Sequence, residues 1–200
     1  MADKNRSNTR WLLVAVTTGA SSTLRVHAWR QLRSSGALYL QNSVCLLPAL
    51  ADTRRVVDRL VERVRREGGE ARVLTIAIED AAEERAVVAE FSRERSDEYN
   101  EVCLRVPAFL EEIAMERGRG RATYAEVEES EVDLERLRKW LGRIEARDYF
   151  GAEGRDEAEA AIGRCAVTLA EFEAEALAGE LPEAPQAQED TRPSRLRKVE

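Results

Sequence analysis

The sequence predicts an α+β fold, with a sheet and two helices first and helices alone thereafter. Three observations carry this. Between residues 11 and 80, short apolar runs alternate with amphipathic helical patterns in the order β-α-β-β-α-β. From residue 81 onward the strand-like runs stop and apolar residues recur at helical spacing. Charge divides along nearly the same line. Residues 1–66 hold twelve Lys and Arg against four Asp and Glu, a net of +8, and because the 200-residue chain stands at −7 the rest carries −15.

The elements follow in order. Residues 1–10 read as a polar, basic arm. Residues 11–16 form an apolar run bounded by Thr17, Thr18 and Gly19, which suits a buried strand. Ser21 or Ser22 can cap a helix reaching Ser34, with Leu24, Ala28 and Leu32 on its inner face, and Gly36 ends it by supplying a left-handed backbone. Residues 37–41 and 43–48 are two strands around a turn at Asn42, and Pro48 stops the second. Asp52 or Thr53 is expected to cap a helix to Glu67 with Val56, Val57, Leu60, Val61 and Val64 as its apolar stripe, closed by Gly68-Gly69. A strand over 72–78 completes the unit.

Residues 83–117 are expected to be helical, with Pro107 kinking or splitting the helix. Thr123 and Glu126 form a capping box for a short helix, and residues 132–147 and 155–178 are two further helices. The domain reading is therefore an arm (1–10), a ferredoxin-like domain (11–80), an antiparallel helical bundle (81–179) and a disordered tail (180–200). The first strand is apolar on both faces, Leu12, Val14 and Val16 against Leu13 and Ala15. The sheet face away from its helices thus needs a cover, either the helical remainder or a second copy in a homodimer.

Several function classes find no support. No apolar run is long enough to cross a bilayer and no secretory leader is seen, so a cytoplasmic location is the expectation. Cys45, Cys103 and Cys165 are widely spaced and lack CxxC or His partners, which indicates neither disulfides nor zinc. His27 stands alone, and phosphate-loop, dinucleotide and zinc-protease motifs are missing, so no catalytic residue, metal or cofactor is assigned and the chain is read as a non-enzyme. The β-α-β-β-α-β order does raise a metal-dependent nuclease of the spacer-acquisition type, which needs an acid at the end of the first strand. Val16-Thr17-Thr18 stands there, and hydroxyls are poor magnesium ligands.

Arginine placement is more suggestive. Arg55, Arg59, Arg63 and Arg66 recur on the outer side of the second helix, and Arg25, Arg30 and Arg33 decorate the first. Two basic helices on one side of a sheet suit DNA phosphates. The alternative is a protein-interaction or scaffold module whose basic face docks an acidic partner. Arg117, Arg119 and Arg121, spaced by glycines before a capped helix, and Arg147 and Arg155, flanking a corner, are candidates for binding an oxyanion.

The segment Trp29-Arg-Gln-Leu-Arg-Ser-Ser-Gly36-Ala-Leu-Tyr-Leu-Gln-Asn-Ser-Val-Cys-Leu-Leu-Pro48 resembles the N-terminal domain of the ChrB family of chromate-resistance proteins. It is similar, more weakly, to the regulatory domain of PaaX-type repressors. The ChrB likeness continues through Glu90-Phe-Ser-Arg-Glu-Arg-Ser-Asp-Glu-Tyr99, Glu128-Glu129, Leu137 to Trp140, and Arg147-Asp-Tyr-Phe-Gly-Ala152, in order over residues 11–178. The resemblance implies a regulatory or sensing role in chromate response, with arginines as ligands of a tetrahedral dianion.

Overall fold

The computed structural model describes residues 9–120 and 123–180. Most of the expected arm, Arg121 and the expected tail beyond 180 lie outside the described residues. Strands β1 (Trp11–Thr17), β2 (Leu38–Gln41), β3 (Val44–Pro48) and β4 (Glu70–Ile76) form one sheet in the order β2-β3-β1-β4, and every neighbouring pair is antiparallel. Helices α1 (Ser22–Ser34) and α2 (Ala51–Arg66) cross over between them. This is the ferredoxin-like arrangement. It is followed by α3 (Ala81–Gly118), α4 (Tyr124–Glu145) and α5 (Arg155–Glu180), which pack on one another.

Alternation along β1 decides how the layers stack. Leu12 and Val14 point to α1 and α2, where they meet Leu24, Ala28, Val57 and Leu60 in one buried cluster. Trp11 and Leu13 point the other way. Trp11 is wholly buried there, with Leu38 and Leu46 of the sheet and Val87 and Phe91 of α3. Its ring lies 5.6 Å from Phe91 and 5.7 Å from Phe150, centroid to centroid. The far face is therefore covered at this end by the chain's own helical part, and its other end keeps Leu40 and Leu74 exposed.

A polar junction reinforces the aromatic one. Tyr149 Oη donates to the carbonyl of Ser35 at 2.6 Å. Arg95, only 4% exposed, pairs with Glu94 and Glu98, and Arg147 reaches the same Glu98 at 2.9 Å. Gly36 passes so close that a Cβ there would lie 2.9 Å from Arg147 Cβ. The α4–α5 corner is itself held by Asp148, which accepts from the amides of Gly151 and Ala152 and from Tyr99 Oη at 3.2 Å. The bundle core runs from Tyr99 and Val102 through Phe109 to Leu141, Cys165 and Phe172.

Four details differ from the sequence reading. Pro107 does not split α3, which is unbroken over Ala81–Gly118. Pro107 lies on the exposed side while Val106 and Phe109 hold the helix to the core. The short helix after Thr123 and the one expected from 132 are a single α4, since no Gly or Pro interrupts Glu126 to Val132. The α2 N-cap is Leu50 rather than Asp52 or Thr53, although the Thr53 hydroxyl does serve the cap by accepting from Leu50 N at 3.1 Å. β4 starts and ends two residues early because its register places Glu70 opposite Thr17.

Candidate functional site

The α1–α2 layer forms the outer surface of the sheet unit, and its arginines occupy three distinct places. Residues opposite the α2 core stripe of Val57, Leu60, Val61 and Val64 face solvent, and Arg55, Arg59 and Arg66 stand there, all exposed. Arg55 is tied to Asp52 one turn back, a pair so exposed that it contributes little. Arg63 leans toward α1, where its guanidinium lies 3.1 Å from His27 Nε2 and 2.8 Å from Glu67. Arg30 shares that crease, and Arg33 is exposed near the end of α1. Among the described residues Arg30, Arg33, Arg59 and Arg66 form no ion pair, so their charge is available to a partner.

Arg25 departs from this row. It lies on the opposite flank of α1, where Nη2 donates to Gly19 O at 3.0 Å and the side chain lines a cavity beside the β2–β3 hairpin. Two arginines that the spacing argument passed over join the surface on its other side. Arg54 donates to Thr75 Oγ1 at 2.6 Å and Arg65 to Ala71 O at 3.0 Å, so both reach across to β4, whose own Arg72 is exposed on the opposite face of the sheet. Their signal was present. Spaced eleven apart, Arg54 and Arg65 share one flank of α2, set apart from the row opposite the valines.

The proposed oxyanion arginines are occupied. Arg117 extends over the Phe172 ring to Glu171 and Glu175 of α5 and donates to Thr168 O. Arg119 pairs with Glu116 at 2.7 Å, and Arg147 with Glu98. Arg155 bridges Glu145 at 3.2 Å and Glu159 at 2.8 Å, which holds the Glu159 carboxyl below its ordinary range. An oxyanion at any of these four would share its guanidinium with a carboxylate already in place. Arg117, Arg147 and Arg155 clamp separate parts of the bundle together, whereas Arg119 pairs within the end of α3.

His27 is half-buried against Arg63 rather than free on the surface. At the end of β1, Thr17 is exposed and Thr18 buried, and among the described residues no carboxylate lines the cavity beside them. Among the described residues no three His, Cys, Asp or Glu come together as a metal site. No helix among them is long and apolar enough to cross a membrane.

Comparison with known proteins bears on this geometry. The family model described as "Protein ChrB, N-terminal" matches residues 25–181. The chain belongs to the ChrB N-terminal family. Protein ChrB of Cupriavidus metallidurans is 30% identical over 156 residues, which cover 76% of this chain and 44% of that protein. This ChrB-family chain thus spans less than half the length of that relative. No solved structure matches it. The match takes in α1, the hairpin, α2, β4 and all three bundle helices, and so includes every arginine of the α1–α2 layer.

Proposed function

We propose that this ChrB-family domain is a non-enzymatic regulator in chromate resistance that docks on DNA through its α1–α2 layer. The chromate context follows from the family. The docking surface rests on one observation: Arg30, Arg33, Arg59 and Arg66 project from a single helical layer without carboxylate partners among the described residues. Arg54 and Arg65 extend the positive field toward β4. Such contacts position a duplex by its phosphates and carry little sequence information. In this reading base selection comes from residues outside the arginine row.

Each phosphate neutralised releases counterions, so affinity for a duplex falls steeply with salt. Anisotropy of a labelled operator-length duplex, titrated at several salt concentrations, measures that slope. Arg59→Ala and Arg66→Ala are each expected to weaken binding to all sequences alike and to flatten the slope by about one unit. Binding that ignores salt, or that survives loss of both arginines unchanged, would remove this layer from DNA recognition. In that case an acidic protein partner becomes the better reading of the same surface.

A further inference from the structure

A cavity of about 700 Å³ opens on the flank of α1 away from Arg30 and the arginines of α2, with Arg33 near its Tyr39 edge. Its walls come from the end of β1, from α1 and from the β2–β3 hairpin. Val16, Ala28 and Leu32 make an apolar floor, and Trp29 and Tyr39 contribute two aromatic rings. Trp29 is 51% exposed, an unusual position for an indole with no packing duty in the core. Burial pushes the Tyr39 hydroxyl up to about 12, with Arg33 opposing, so it meets any guest as a hydrogen-bond donor rather than a phenolate.

The polar groups are few and lie toward one end. Thr17, Thr18, Asn42 and Ser43 supply hydroxyl and amide groups. The Arg25 guanidinium is anchored among them by its bond to Gly19 O, which uses one of five N–H donors and leaves the rest free. Among the described residues no Asp or Glu lines the cavity. The groove between α3 and α4 is different, because Glu101, Glu112 and Asp133 there offset Arg105, Arg136 and Arg143.

Volume and lining together select a guest. Sites for organic ligands run to several hundred Å³, mostly apolar and aromatic with a small number of placed polar groups. A tetrahedral oxyanion occupies about two water volumes, roughly 60 Å³, and would leave most of this space empty. We propose that the cavity binds a small planar aromatic acid, its ring against Trp29 and Tyr39 and its carboxylate on Arg25. The site stands independently of DNA docking and of chromate.

The test is calorimetric titration of the purified full chain with 1-naphthoate, with Trp fluorescence in parallel. One-to-one saturable binding with quenching is expected, and the quenching should vanish in Trp29→Phe. Neutral 1-naphthalenemethanol should bind at least tenfold more weakly, and Arg25→Gln should weaken naphthoate by about tenfold to a hundredfold, as loss of a charge-assisted hydrogen bond does. Val26→Trp and Ser43→Trp fill the space from exposed positions that do not repack the core, and each should abolish binding while the melting transition stays intact. Absence of saturable binding, or binding unchanged in Arg25→Gln and both filling variants, overturns the proposal. Equal competition by chromate overturns it as well, because the site would then be selecting an oxyanion.

Discussion

Gly36 and Gly68 offer a matched pair for measuring what the junction between sheet and bundle costs to disturb. Both glycines have left-handed backbones, φ +70 and +81, so alanine at either pays about 1 kcal/mol for that conformation. At Gly68 nothing lies within 4 Å of an added Cβ, and the conformational cost is the whole effect. At Gly36 the same methyl meets Arg147 Cβ at 2.9 Å and Arg95 Nη1 at 3.2 Å, where comfortable contact needs about 3.5–4.0 Å. A Cβ attached directly to backbone has little freedom to retreat, so the α4–α5 corner must shift, at an overpacking cost of about 1–3 kcal/mol. Gly36→Ala should therefore destabilise by about 2–4 kcal/mol and Gly68→Ala by about 1 kcal/mol. At about 2–4 °C per kcal/mol for a chain of this size, Tm should drop at least twice as far for Gly36→Ala. Urea unfolding of both variants decides the matter. Equal losses would mean that the corner does not press on the Ser35–Gly36 turn, and the account of the junction would fail.

Three further outcomes are expected. Tyr149→Phe removes the hydrogen bond to Ser35 O and should cost about 1 kcal/mol in the same assay; no change would show that the bond is not made in solution. Tyr99 is raised to about 12 by burial first and then by the Asp148 charge and hydrogen bond, and Tyr39 to about 12 by burial. Both favour the protonated phenol when folded, so their contribution to stability is complete below about pH 10 and is lost as pH climbs toward 12. Burial raises Tyr149 as well, so absorbance titration should find three late tyrosines that return to about 10 on unfolding, and four ordinary ones would contradict the burial. Iodoacetamide on the native protein should label Cys103 before Cys45 and Cys165, whose thiols are buried and pushed up, Cys45 to about 12; peptide mapping reads the order, and early labelling of Cys45 would count against its packing under α1.

The sheet unit was legible because its signals are local. Alternation in β1, the Leu24-Ala28-Leu32 face and the valine stripe of α2 each specify an element within about fifteen residues, and Gly36 and Gly68 mark where the chain turns. What covered the far face was not legible. Trp11, Phe91 and Phe150 meet from three distant stretches, and no periodicity relates them. The roles of Arg117, Arg147 and Arg155 were hidden for the same reason, since Glu171, Glu98 and Glu145 sit on other helices or another part of the fold. Pro107 misled because the rule against proline in helices weighs one lost hydrogen bond, while Val106, Phe109 and Ile113 add packing that outweighs it. At the candidate surface, spacing placed the outer arginines on a shared layer. It could not show that Arg25 leaves that layer for the cavity.

The burial of Trp11 also sets an order of assembly. Phe150 follows Trp11 by 139 positions, and Tyr149 must travel back 114 positions to Ser35. During synthesis at about 5–20 residues per second, the four strands are complete on the order of ten seconds before the corner that seals them exists. A nascent sheet thus waits with an apolar face open to whatever else is in solution. Substitutions at Tyr149, Phe150 or Arg147 would therefore lower yield and raise chaperone dependence in addition to weakening the closed protein.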